Sequence, residues 1–68
     1  MQELTERQTA IYNFVKDYRQ KHGYSPSREE IANGVNIHPS TLRIHLDAMK
    51  RKSAVTWDEN IPRSINPL

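Results

Sequence analysis

The sequence predicts a mainly α fold, three helices followed by a small β-hairpin, on three observations. Two helix starts carry capping boxes, Thr5 with Gln8 and Ser27 with Glu30. A third amphipathic segment opens on Pro39, which suits the first helical position because its missing N–H would have no intrahelical partner there. After Lys52 the helical period gives way to two short runs, "AVTW" and "RSI", that read as strands.

The first helix is expected from about Glu6 to His22, with Ala10, Ile11, Phe14, Val15 and Tyr18 on one side and Gly23 as its stop. Pro26 pushes Ser25 toward extended backbone, so "YSPS" is a short linker. The second helix starts at the Ser27 cap, where Glu29 and Glu30 suit the positive end of the dipole. It turns Ile31, Ala32 and Val35 inward and is kept brief by Gly34 and Asn36. Asn36 is the residue able to make the tight turn, because asparagine tolerates left-handed backbone. In the third helix Leu42, Leu46 and Met49 form the inward stripe, with His45 at its edge. The strands close around "DENIP", a polar turn in which Pro62 is tolerated only at an edge, and Trp57 covers the edge of the core. Two short helices joined by a tight turn, preceded by a helix and followed by a hairpin, describe a winged helix-turn-helix.

A chain of 68 residues is expected to be a single domain, residues 1–68, too small for a buried catalytic pocket, so function belongs on the surface. It contains no cysteine, which excludes disulfide staples and thiolate zinc sites and favours a reducing, cytoplasmic setting. No apolar run approaches the roughly 18 residues of a membrane span, and the start "MQELTERQ" does not read as a signal peptide. The net charge of +2 is mild, but its distribution is uneven. Residues 34–55 hold Arg43, Lys50, Arg51 and Lys52 against Asp47 alone, a local +3 that leaves −1 for the remainder.

The chemistry-bearing residue types do not assemble into a reaction centre. His22, His38 and His45 lie on different segments with no completing ligand, so no metal site is expected. Glu29 and Glu30 are neighbours that diverge on a helix, and Lys52 with Ser53 has neither a third group nor a pocket. No catalytic residue, cofactor or small-molecule substrate is expected, and the chain reads as no enzyme. The outward face of the third helix is the better candidate. With Leu42, Leu46 and Met49 inward, Ser40, Ile44, Asp47 and Arg51 point away from the core, flanked by Thr41 and Arg43. Residues in the first turns of such a helix reach base edges. Arg43 can pair bidentately with guanine, Ser40 or Thr41 can donate or accept, and Ile44 can touch a thymine methyl. Lys50, Arg51 and Lys52 then fall toward phosphates, although cations there also suit the negative end of the helix. Ser27 and Arg28 at the second helix start, and Arg63 in the hairpin, are the other backbone candidates. The acidic tip, Asp58 and Glu59, opposes deep insertion of the hairpin.

The pattern "LTERQ…I…FV…Y…GYSPS…EIA", followed by "STL…HL…M…K" and "PRSI", resembles the N-terminal DNA-binding domain of the LexA-type repressors across nearly the whole chain. The resemblance implies a third helix in the major groove of double-stranded DNA and a hairpin wing along the backbone. It also implies that these residues carry only the DNA-binding half of such a repressor, without the serine-lysine self-cleaving and dimerising domain. Three positions depart from the pattern: Asn36 and Ser53 stand where glycines are usual, and His38, a poorer cap, stands where serine often is. Ser53 is expected to leave the end of the third helix less well defined. The function expected is a sequence-specific DNA-binding transcriptional regulator, a repressor, that works as a homodimer on two half-sites or with a protein partner. Its rival is a winged-helix protein-interaction module that docks on a polymerase subunit or another repressor.

Overall fold

The computed structural model describes residues 3–68, so Met1 and Gln2 of the "MQELTERQ" start lie outside the described residues. Five elements follow in order: α1 (Glu6–His22), α2 (Arg28–Gly34), α3 (Pro39–Arg51), β1 (Val55–Thr56) and β2 (Asn66–Pro67). The strands pair antiparallel, Val55 opposite Pro67 and Thr56 opposite Asn66. This is the three-helix winged helix-turn-helix that the sequence predicts. The wing is shorter than expected. β1 keeps only the middle of "AVTW", and β2 falls just beyond "RSI", so Pro62 sits in the connecting turn and Pro67 is the strand proline. Proline fits there because Leu68, one residue on, supplies the N–H that reaches the Ala54 carbonyl at 2.9 Å.

Both capping boxes form. The Gln8 N–H donates to Thr5 Oγ1 and the Thr5 N–H to Gln8 Oε1, each at 3.2 Å. The Glu30 N–H donates to Ser27 Oγ at 3.1 Å and the Ser27 N–H to Glu30 Oε1 at 2.8 Å. α1 ends on Gly23 at φ +79°. The turn from α2 to α3 is made by Asn36 at φ +58°, with the Ile37 N–H reaching back to the Ala32 carbonyl at 3.0 Å. Gly34 has its own steric reason, since a Cβ there would sit on the Phe14 ring.

Ser53 repeats the left-handed turn after α3, at φ +62°. Its N–H donates to the Lys50 carbonyl at 3.0 Å and the Ala54 N–H to the Met49 carbonyl at 2.9 Å, the double hydrogen bond of a Schellman end. The end of α3 is therefore well defined, contrary to the expectation drawn from the missing glycine. The backbone bonds hold a side-chain-bearing residue in a conformation that costs about 1 kcal/mol.

One apolar cluster joins the three helices to the wing: Ile11 and Val15 of α1, Ile31 and Ala32 of α2, Leu42, Leu46 and Met49 of α3, and Ala54, Val55, Trp57 and Ile65 of the wing. Ala10, placed inward by periodicity, is exposed, and Gln8 is buried in its stead. The reason is polar: Gln8 Oε1 accepts from Lys52 Nζ at 2.7 Å as well as from Thr5. Tyr18 is only half-buried, and its hydroxyl donates to Glu30 Oε2 at 3.0 Å. Asp47, expected to point away from the core, is also half-buried.

Polar contacts fix the wing to the helices. Ser25, 2% exposed, donates its hydroxyl to the Ile65 carbonyl and accepts from Arg19 Nη1, both at 2.6 Å. Arg63, left-handed at φ +55°, donates to Glu30 Oε1 at 2.6 Å and to the Ser25 carbonyl at 3.2 Å. The Ser27 N–H and then the Arg63 guanidinium hold the Glu30 carboxyl at about 2, well below its ordinary 4.5.

Two outcomes are expected. Ser53→Gly removes the left-handed penalty without touching a side-chain contact, so the thermal midpoint should rise by the equivalent of about 0.5–1 kcal/mol. Glu30 has a depressed pKa when folded, so its stabilisation is complete above about 4.5 and is lost as pH falls toward 2. In thermal melts across that range, the advantage of wild type over Glu30→Gln should shrink with acidification. An advantage that does not change with pH would show that the pairing does not stabilise the fold.

Candidate nucleic-acid interface

The start of α3 is set by His38, whose Nδ1 accepts from the Ser40 N–H at 3.2 Å, and by Pro39 at the first helical position. From there the inward stripe Leu42, Leu46 and Met49, none more than 1% exposed, fixes which residues face out. Ser40, Thr41, Arg43 and Ile44 are all exposed, Ile44 to 69%. The structure thus brings the four proposed readers together on the accessible side of the first two turns. His45 lies half-buried at the edge of the stripe.

The six backbone candidates separate into groups. Arg51 is exposed at the last turn of α3. Arg28 and Lys50 come from different helices but meet on one ring: the Arg28 guanidinium carbon lies 5.4 Å and Lys50 Nζ 4.4 Å from the centre of Trp57. The indole Nε1–H donates to Glu59 Oε1 at 2.7 Å, and Glu59 Oε2 stands 3.8 Å from Arg28 Nη2. Ser27 Oγ serves as the α2 cap. Lys52 and Arg63 are turned to intramolecular work. Lys52 Nζ donates to Gln8 Oε1 at 2.7 Å and to the Glu3 carbonyl at 3.1 Å, while Arg63 is held by Glu30 and lies 5.2 Å over Tyr24.

Three of these contributors have a second role that sequence reasoning missed. Trp57 is not only a cover for the core but the platform on which two helices align their cations. Glu59 is its carboxylate anchor, two residues along in the turn. Gln8 is the acceptor for Lys52, 44 residues away, a pairing for which a single sequence carries no signal. Among the described residues no cluster of three or more His, Cys, Asp or Glu is placed to hold a metal ion, and no helix is long and apolar enough to cross a membrane.

Comparison with known proteins identifies the family of the chain. The family model for the LexA DNA binding domain matches residues 1–64. A LexA repressor from Thermosipho melanesiensis is 38% identical over 66 residues, which is 97% of this chain and 33% of that protein. One from Staphylococcus aureus strain Newman is 41% identical over 66 residues, 96% of this chain and 32% of that protein. The chain spans about a third of the length of the curated relatives it matches. With nearly all of its residues covered by the match, the chain belongs to the LexA DNA-binding domain family.

Proposed function

We propose that the chain is a sequence-specific double-stranded DNA-binding module of a transcriptional repressor, with α3 in the major groove and the wing along the backbone. The observation that carries this reading is the exposed quartet Ser40, Thr41, Arg43 and Ile44 on a helix whose opposite stripe is buried. Arg43 reads guanine through a bidentate pair, and Ser40, Thr41 and Ile44 read neighbouring edges. Arg51, Lys50 and Arg28 meet phosphates, which position the module without selecting sequence. Ser27 contributes its hydroxyl proton, its oxygen already serving as a cap. Lys52 and Arg63 act mainly by holding the helix ends and the wing, since each has intramolecular acceptors.

No catalytic step is assigned to this chain. Lys52 is tied to Gln8, and Ser53 makes the turn after α3. A single module of this size covers only about 600–1,000 Å² of protein surface on DNA, so tight binding calls for two copies on paired half-sites. A second reading, a winged helix that docks on a polymerase subunit or another repressor, draws its support from Ile44, 69% exposed at the centre of the reading face.

Selection of bound duplexes from a random pool, followed by titration at several salt concentrations, separates the two. For the DNA reading, three phosphate contacts should give a log–log salt slope of about −2.7, from about −0.9 per contact. Arg43→Ala should relax preference at one base pair, at a cost of about 1–3 kcal/mol for the best site. Arg51→Ala should weaken all duplexes alike and reduce the slope by about 1. If no duplex is enriched at low salt, the protein-docking reading takes precedence.

A further inference from the structure

We propose that His38 fixes the hydrogen-bonding polarity of Ser40, so that α3 presents there a hydroxyl that accepts but does not donate and selects a base bearing an exocyclic amino group. This rests on the assignment of Ser40 as a reader and makes His38 a positioning residue for it.

The argument begins with the cap. His38 Nδ1 accepts from the Ser40 backbone N–H at 3.2 Å, and a ring nitrogen can accept only through its lone pair. On that acceptance Nδ1 carries no hydrogen, so the proposal includes the tautomer with the ring proton on Nε2. Ser40 Oγ lies 2.8 Å from the same Nδ1. A nitrogen without hydrogen cannot donate, so the hydroxyl must supply the proton to this short contact. A serine hydroxyl has one proton and two lone pairs, and with the proton turned into His38 the lone pairs are what remain for a ligand. Ser40 is exposed, so those lone pairs are available on the reading face.

Base chemistry then decides what fits. In the major groove adenine offers its N6 amino group and cytosine its N4 amino group as donors. Guanine and thymine present oxygen acceptors at the equivalent edge, which would meet the Ser40 lone pairs repulsively. A freely rotating serine hydroxyl serves either class, and one held by His38 serves only the first. The same nitrogen that caps α3 thus narrows its base preference, which a serine or an alanine at position 38 would not do in this way.

The test is a random-pool duplex selection with the full chain as wild type, Ser40→Ala and His38→Ala. The base pair read by Ser40 is the one whose preference Ser40→Ala erases. At that pair wild type should prefer adenine or cytosine on the contacted strand by about three- to tenfold, the size of one net hydrogen bond. His38→Ala should lose this preference and admit guanine or thymine there while leaving preferences at the other positions in place. A purely capping role for His38 would instead weaken every duplex alike. Because His38→Ala also removes the cap, a second measurement uses the wild-type protein alone. Replacing the selected adenine by purine, or the cytosine by its 4-deamino analogue, should weaken binding by the same factor and leave Ser40→Ala unaffected. A wild-type preference for guanine or thymine, an unchanged preference in His38→Ala, indifference to loss of the amino group, or no position altered by Ser40→Ala would each overturn the proposal while leaving DNA binding intact. Absence of any enriched duplex would remove the underlying reading as well.

Discussion

Everything the outer face of α3 presents depends on the rotation of that helix about its own axis. Leu42, Leu46 and Met49 are 0%, 1% and 0% exposed, so the helix is seated by three side chains on one stripe. Successive residues are about 100° apart, and a rotation by one residue would lift that stripe out of the core. Each such side chain gains about 1.5–3 kcal/mol from burial, more in sum than any set of surface contacts on this domain can oppose. The outward placement of Ser40, Arg43 and Ile44 is therefore a consequence of apolar packing. The polar residues are displayed by the core and do not themselves determine where they point.

The cations divide by what else they can bond to. Arg28 and Glu59 form a long contact of 3.8 Å between side chains 48% and 66% exposed, the kind of pair that contributes little in water. A phosphate can replace that carboxylate at small cost, and the Trp57 ring keeps the guanidinium and the Lys50 ammonium in place meanwhile. Arg63 and Lys52 differ, because each makes two hydrogen bonds, one of them short, to acceptors within the fold. Lys52 adds its charge at the end of α3 without its side chain leaving Gln8, while the charge of Arg63 is met by Glu30. Sign alone does not distinguish these two groups; the identity of the intramolecular acceptor does.

That distinction marks what a single sequence conveys. The capping boxes, the Gly23 stop, the Asn36 turn and the bounds of α1 were legible because each is decided within a few residues by backbone geometry. So was the α3 stripe, whose period is local. Gln8 is legible as a capping residue but not as a buried one, because its burial depends on Lys52 and nothing near either residue signals the other. The second strand was displaced from "RSI" because two-residue strands are fixed by the register against β1 and the buried anchor of Ile65 on Ser25, both long-range. Ser53 misled in the opposite sense: glycine is the economical left-handed residue, yet two backbone hydrogen bonds suffice to hold serine there. For the candidate site, the face was legible and the engagement of its cations was not.

The ends of α2 and α3 also share a support that neither helix nor the wing supplies. Arg7 Nη1 donates to the carbonyl of Val35, the C-cap of α2, at 3.1 Å, and Gln8 Oε1 accepts from Nζ of Lys52, the C-cap of α3, at 2.7 Å. These adjacent residues of α1 thus bond just beyond the end of each helix of the helix-turn-helix pair. Long flexible side chains make such a reach possible, and the bonds tie α1 to both helices. Moving α3 away from α1 would have to break the Lys52 bond, in addition to disturbing the packed stripe. Pre-set orientation matters for any surface that binds, because a helix already held in place loses less freedom when it meets a partner. The second residue of α1's helical run and its neighbour therefore act on the outer face of α3 through stiffness and not through contact.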